Sequence, residues 1–560
     1  MNRVAMVELA TQAHAMLRRS HFLDAIAMSL VVGACASCGG SDGGGGKSTP
    51  AKSTEVTPEA GPPRTWKGDL VDDRSVYTKD PLSLVRIDVT TADAAGLAKI
   101  NGGDAAAKID VAFKEGALDA KASMELRGAT SKLADQKSFK VTLKGQGRWR
   151  DQKVLNLNKH PWELSRVRNK LAFDLLTTVP HMASLRTSFV HLYVNGEDYG
   201  LFTQVEQPNE DYLSTHGFDP NAWLYKAADF TFDPIDAATA ANEPEFEKRL
   251  EIKGKPRTHD KLRAMLDAVN DERQDIDTVI TQHFNRNNYL AWLAFNVVAT
   301  NADTVSQNYF LYSPTTTSEW YFLPWDYDDA LTWRRSEAAT AESRSREGVQ
   351  NWWEVTLHRR FLAKAANAQA LDARVRELEA AITPAKIQAL LDAYEPLVRP
   401  VVTAIPDVDH LPSSAGTAGA ISSHDEDFKA LAKSVELGVQ AYVDALERPM
   451  PFWIDDPSIV GGTQVRITWD DSFDLQRDAI TYDVSIAGKP DFGARDVLFS
   501  KDGLTEPTIN FEKPPTGTYY VRVIARDAKS PSNHWQNAYD DYTDATTGKE
   551  FFGVKGVAIP

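Results

Sequence analysis

The chain has 560 residues, enough for two or three domains of ordinary size. Its 42% hydrophobic and 25% charged residues are the proportions of a soluble globular protein, and a formal net charge of −16 excludes the basic surface that phosphate backbones select, so no nucleic-acid partner is expected. Both cysteines, Cys35 and Cys38, fall near the start, which excludes a disulfide framework or a thiolate zinc site from the rest of the chain.

Arg18 and Arg19 precede an apolar run, Ala25 to Ala36, too short to span a bilayer by itself but fitting the hydrophobic core of an export signal. Val32-Gly33-Ala34-Cys35 resembles a bacterial lipobox. Residues 1–38 are therefore assigned as a lipoprotein-type signal region, with Cys35 lipidated, Cys38 as the alternative and Met16 as a candidate start. The expectation is an exported protein, lipid-anchored to the bacterial cell envelope and touching membrane only through that anchor. Residues 39–80 read as a flexible linker. Within it Gly46-Lys47-Ser48 has the ending of a phosphate-binding loop, but Ser41 stands where the first glycine belongs and no strand or helix flanks it.

Residues 81–450 form the expected main domain. Val85, Ile87 and Val89 alternate as a strand, followed by the runs K-I-D-V-A-F and A-S-M-E-L-R. Arg127-Gly128 then opens a loop whose Thr130 and Ser131 carry hydroxyls suited to phosphate. Lys137 and Lys140 flank Phe139 on the next strand and are assigned to one face of it. A helix is expected over Asn169 to Leu176, and a hairpin joins Phe189–Val194 to Gly200–Glu206 across the turn dipeptide Asn195-Gly196. Residues 242–300 read as helical, ending in the apolar run Leu290 to Val298.

That helix leads into Asn301 to Asp329, where Asp303 and Asn308 stand five residues apart, the offset between base Asp and metal-ligand Asn in protein-kinase catalytic loops. Asp326 follows after two apolar strands, Tyr309–Tyr312 and Trp320–Pro324. Phosphoryl transfer needs a carboxylate to orient the acceptor hydroxyl and hard oxygen ligands to hold Mg²⁺ against phosphate. Asp303 suits the first task; Asn308, Asp326 and Asp328 suit the second. Asp and Asn at strand ends are equally turn formers and caps.

Residues 334–348 are polar and read as a loop, Glu354 to Val398 as helices, 404–425 as a loop or insertion, and Phe428 to Leu446 as a last helix. From residue 451 to 560 the pattern becomes short alternating strands, Val465-Ile467-Trp469 and Ile480-Tyr482-Val484 among them, separated by Pro-, Gly- and Asp-rich turns. This predicts a small all-β sandwich. The Asp-rich turns read as solvated loops, with calcium binding as the alternative.

Several segments together resemble the CotH family, the spore-coat-protein-H-like atypical kinases. They are L-R-G-A-T-S (Leu126 to Ser131), K-S-F-K-V-T-L (Lys137 to Leu143), V-R-N-K-L (Val167 to Leu171), H-L-Y-V-N-G-E-D-Y-G-L-F-T-Q-V-E-Q (His191 to Gln207), W-L-Y-K (Trp223 to Lys226), N-A-D-T-V-S-Q-N-Y-F-L-Y and P-W-D-Y-D. The resemblance covers about residues 80 to 400 and implies an α+β fold, an atypical protein-kinase-like domain followed here by the sandwich. It implies ATP and Mg²⁺ as cofactors and transfer to Ser or Thr of an envelope or secreted protein. Asp303 would be catalytic and Asn308, Asp326 and Asp328 would hold metal. The resemblance places the Arg127 loop and the following lysine-bearing strand at the nucleotide site, with one of Lys137 and Lys140 pairing with phosphate, Lys226 as the rival to Lys140, and Glu206 as the candidate carboxylate that steadies a phosphate-binding lysine. Asn301-Ala302 replaces the His-Arg of ordinary kinases, Tyr327 follows Asp326 where Phe-Gly would stand, and no G-x-G-x-x-G is present. The C-terminal stretch I-T-W-D-D-S-F-D…A-I-T-Y-D-V-S-I resembles a fibronectin type III module. The competing reading is a non-catalytic surface adhesion or structural protein that uses the kinase-like fold as a binding platform.

Overall fold

The computed structural model describes residues 70, 72–128, 130–332, 348–413 and 416–560; Cys35, the signal region, most of the linker and the polar stretch 334–347 lie outside the described residues. The alternating segments form seven strands: β1 (Leu84–Thr90), β2 (Lys108–Glu115), β3 (Leu118–Arg127), β4 (Ser138–Leu143), β5 (Val154–Asn158), β6 (Thr187–Val194) and β7 (Glu197–Glu206). They close a barrel in the order β1-β2-β3-β4-β5-β7-β6, sealed by parallel pairing of β1 with β6. Every second side chain points inward, so Val85, Ile87, Met124, Phe139, Val141, Leu155, Val190 and Phe202 share one core. The β6–β7 hairpin turns at Asn195 (φ 51°) and Gly196 (φ 85°), the two left-handed positions that a tight turn of this hand requires.

A second, four-stranded sheet has the order β11-β10-β8-β9, from β8 (Trp223–Ala227), β9 (Leu250–Ile252), β10 (Tyr309–Ser313) and β11 (Tyr321–Pro324). β9 is a strand inside a stretch expected to be helical; at three residues it is too short to show a period, and pairing with β8 decides it. The helix Arg286–Val298 lies against this sheet. All its residues from Asn288 onward are buried, and Trp292 stacks on Phe322 of β11 at 4.3 Å between ring centres. The helix Ser434–Leu446 packs so closely on it that a Cβ at Gly438 would lie 1.9 Å from the Val298 carbonyl oxygen.

Two segments depart from expectation. A helix spans Gly416–Ala430, where a loop was expected up to residue 425. Its glycines and paired serines are weak helix formers, but tertiary contacts outweigh propensity: Asp427 takes a bidentate pair from Arg168 at 2.8 Å, and Asp425 takes one from Arg399 at 2.9 Å. The end of the linker is docked: Val76 is buried, Tyr77 Oη donates to Asp72, and Arg74 Nη2 donates to the Val179 and Met182 carbonyls.

The C-terminal strands form two facing sheets, one of β12 (Ser458–Val460), β13 (Gln464–Thr468) and β16 (Thr508–Glu512), the other built on β14 (Ile480–Ala487), β15 (Val497–Leu504), β17 (Gly517–Asp527) and β18 (Trp535–Asn537). Val465 and Ile467 from the first sheet and Val484, Ile486, Val521 and Val523 from the second fill one core. Residues from Gly68 to Pro560 form one compact unit. Between helices and sandwich, Trp353 packs on Phe473 at 5.1 Å and Tyr539 Oη donates to the Gln350 carbonyl at 2.6 Å. Among the described residues no helix is long and apolar enough to cross a membrane.

Candidate active site

The helix Arg286–Val298 ends at Thr300, which takes a left-handed φ of 50°, and the chain enters a 3-10 turn, Ala302–Thr304. This carries the Asp303 carboxylate into a largely buried position. Asn308 Nδ2 donates to Asp303 Oδ2 at 2.6 Å and Gln307 Nε2 to Oδ1 at 2.8 Å, so both oxygens are held in place. The amide orientation leaves Asn308 Oδ1 as an acceptor suited to a hard cation. Asn308 (φ 59°), Asp326 (φ 54°) and Leu331 (φ 58°) are also left-handed, so strained backbone concentrates at this loop and at the end of β11.

Asp326 follows Trp325 at the end of β11. Burial first, then the charge of Asp328, push its carboxyl up to about 7, against the opposing pull of Arg127 and His160; Asp303 adds to the rise. Arg127, at the end of β3, lies over the Trp325 ring at 5.6 Å, and its guanidinium makes no hydrogen bond among the described residues. Burial lowers its pKa in spite of Asp326 and Asp328. His160, just past β5, meets Asp328 at 3.3 Å through Nδ1. Burial would depress this imidazole, but the carboxylates of Asp328, Glu163 and Asp326 together raise its pKa. Its Nε2 is buried without a partner. From behind, Asn169 of the helix Arg168–Leu176 accepts the Tyr327 N–H at 3.3 Å, and Tyr327 packs edge-on against Phe173 and Phe295. Three carboxylates therefore converge on a half-buried junction between barrel, second sheet and helices, opposed by one arginine and one histidine.

Of the residues singled out in the sequence, Arg127, Asp303, Asn308, Asp326 and Asp328 meet here. The lysines do not share one face. A separation of three along a strand places Lys137 and Lys140 on opposite sides. Lys137 precedes β4 and donates to the Lys132 carbonyl at 2.8 Å. Lys140 lies on the barrel's outer face, with Glu125, Arg127, Asn156 and Asn158, and pairs with Glu125 at 3.0 Å. Lys226 lies in β8, opposite Phe310 of β10, and pairs with Glu251 at 3.1 Å.

Glu206 steadies no lysine among the described residues. It is fully buried, receives the Arg186 guanidinium at 2.6 and 2.9 Å, and meets His216 Nε2 at 3.0 Å, while His216 Nδ1 meets Asp72 at 2.8 Å. The strand-end position that drew attention to it reflects an internal ion network. A deeply buried lysine that sequence reasoning missed is Lys159: it pairs with Asp407 at 2.5 Å and donates to the Tyr199 and Leu201 carbonyls, and burial pulls its pKa down to about 8. His160 was missed with it. The available signal was the run Asn158-Lys159-His160, three polar residues at the end of an alternating strand.

Carboxylates and an amide oxygen gathered beside an arginine whose guanidinium makes no hydrogen bond among the described residues are the kinds of group that can meet a hard cation and an anionic group, as in metal-assisted phosphotransferases. A family model described as CotH kinase protein matches residues 124–433, more than half of the chain, and the chain belongs to this family. The match includes every residue of the acidic junction and stops before the C-terminal sandwich. The chain is similar to the inner spore coat protein H of Bacillus subtilis (strain 168), at 26% identity over 215 residues. That similarity covers 37% of this chain and 58% of the relative, so the chain spans less than two thirds of the relative's length. Among solved structures, the Helicobacter pylori proinflammatory kinase CtkA is matched over 57% of this chain and 94% of that chain, at 9% identity and a TM-score of 0.26, too low for that likeness to bear on the site.

Proposed function

We propose that this protein is an exported CotH-type atypical kinase that transfers the γ-phosphoryl group of ATP, with Mg²⁺, to Ser or Thr of a protein in the cell envelope or outside the cell. The observation that carries the reading is the convergence of Asp303, held by Asn308, with an Asp326 carboxyl crowded by Asp328 and faced by Arg127. The donor set fits a hard divalent ion. Asn308 and Asp326, with Asp328 beside them, would hold Mg²⁺, which when bound neutralises phosphate charge.

The remaining roles belong to the chain's own groups. Asp303, its oxygens fixed by two amide donors, orients the acceptor hydroxyl and receives its proton. Arg127 offers a fork of donors to the phosphates. Lys140, on the same strand face as Arg127 in the neighbouring strand and steered by Glu125, is the nucleotide lysine in this reading, with Lys226 as its rival. The lipobox-like Val32-Gly33-Ala34-Cys35 and the preceding apolar run support export and a lipid anchor at Cys35.

The test is phosphate transfer from labelled ATP by the full chain, to itself or to envelope extract, with and without Mg²⁺, beside Asp303→Ala and Asp326→Ala. Mg²⁺-dependent incorporation lost in both variants is expected. Equal inertness of all three proteins, with no ATP–Mg²⁺ binding by calorimetry, would leave a non-catalytic envelope protein.

A further inference from the structure

Away from the acidic junction, the sandwich brings three carboxylates together. Asp474 and Asp478 lie in the loop between β13 and β14, and Asp527 ends β17; each offers an oxygen within 4.8 Å of the others. Proximity of acidic side chains is commonplace, so what matters is how their charge is met. Asp474 is 4% exposed. Its Oδ1 accepts the backbone N–H groups of Gln476 and Asp478 at 2.8 and 3.0 Å, which folds the loop, but its Oδ2 is buried with no hydrogen-bond partner. A carboxylate oxygen buried without a donor is costly, and here the nearby groups are two more carboxylates. The basic side chains facing the cluster are Lys529, which meets Asp478 at 2.7 Å from a 70% exposed side chain, and His534, 3.3 Å from Asp527. Neither is paired with Asp474. Burial and the charges of Asp478 and Asp527 raise the Asp474 pKa, although its backbone hydrogen bonds oppose the rise.

The geometry points to a calcium-type divalent cation site formed by Asp474, Asp478 and Asp527. An ion coordinated by Asp474 Oδ2 and one oxygen from each partner satisfies the orphaned atom and neutralises the surplus charge, and hard all-oxygen coordination completed by water or backbone carbonyls is what Ca²⁺ accepts. Lys529 leaves at little cost, because its ammonium already reaches solvent.

The site does more than brace a turn. The loop that carries Asp474 and Asp478 also helps hold the sandwich to the helices. Phe473 stacks on Trp353, Gln476 Nε2 donates to the Leu446 carbonyl at 2.8 Å, and Arg477 Nη2 donates to the Ala363 carbonyl at 2.7 Å. Bound calcium therefore fixes the docking of the C-terminal module. In a protein outside the cytoplasm, this makes the joint sensitive to ambient calcium.

The test uses the full chain stripped with a chelator, titrated with CaCl₂ in the absence of nucleotide, by calorimetry and by thermal unfolding. Wild type should bind one Ca²⁺ with a rise in Tm, and Asp474→Asn and Asp527→Asn should lose both responses. Asp326→Ala should keep them, separating this ion from one at the acidic junction. Lys529→Ala should bind Ca²⁺ more tightly, by up to about thirtyfold, the effect of removing one unit charge about 4 Å from a divalent ion in water. Without calcium, Asp474→Asn should be at least as stable as wild type, because it keeps Oδ1 and sheds a repelled charge. The proposal is overturned by absence of a calcium response at millimolar concentration, by a response that survives Asp474→Asn, or by unchanged or weaker affinity in Lys529→Ala.

Discussion

Two buried acidic clusters in this chain are handled in opposite ways. Around Glu206, a carboxylate, an arginine, a histidine and Asp72 are joined by short hydrogen bonds, and the matched charges hold the Glu206 pKa below its ordinary value against burial. Around Asp326, burial and a neighbouring carboxylate raise the pKa, and the Arg127 guanidinium that faces it makes no hydrogen bond among the described residues. The first cluster is complete in itself and serves stability. The second keeps charge in excess, the pattern expected where a ligand is to be bound, as the proposed function requires.

The contrast breaks first at Asp303. Its replacement by Ala should lower phosphate transfer at least ~100-fold, the usual worth of a positioned proton acceptor, while Tm stays within a few degrees of wild type. A comparable loss in a Glu206→Gln enzyme that is still folded would erase the distinction drawn here. On the stability side, Asp407→Ala strands Lys159 in the interior and should destabilise the fold by about 3–5 kcal/mol, measured by denaturant unfolding. Asp326→Asn should abolish transfer yet leave the metal-free protein as stable as wild type or more so, because it removes a repelled charge.

The smallest effect sharpens the comparison through pH. His216 has a folded pKa raised above 6.5, since its bonds to Asp72 and Glu206 overcome the burial that lowers it. Its stabilising contribution is full below about pH 6.5 and fades as the pH rises through the folded value. Glu206, depressed below 4.5, contributes above that value and loses its contribution as the pH falls through the lower folded one. The Tm difference between wild type and His216→Asn should therefore be largest in the window between and shrink on the alkaline side.

Much of this was legible in the sequence. Strand periodicity foretold the β6–β7 hairpin and its Asn195-Gly196 turn, because a local turn and its flanking alternation are short-range properties. The Asp303–Asn308 spacing lies within one loop and survives as a 2.6 Å hydrogen bond. Less legible were residues whose partners are distant in the chain. Glu206 read as the carboxylate that steadies a phosphate-binding lysine, yet its partners are Arg186 and His216, and Lys159 finds Asp407 nearly 250 positions away. The helix Gly416–Ala430 was invisible because its stability comes from ion pairs to Arg168 and Arg399 rather than from propensity.

The sequence by itself determined the α+β order of elements, the family and the candidate acidic residues, since these rest on local pattern and on the identity of side chains. Which carboxylates are neutralised and which are left in excess was decided only by the tertiary structure. Charge balance depends on what closure of the barrel and docking of the helices bring within a few ångströms, and on how much water that packing removes.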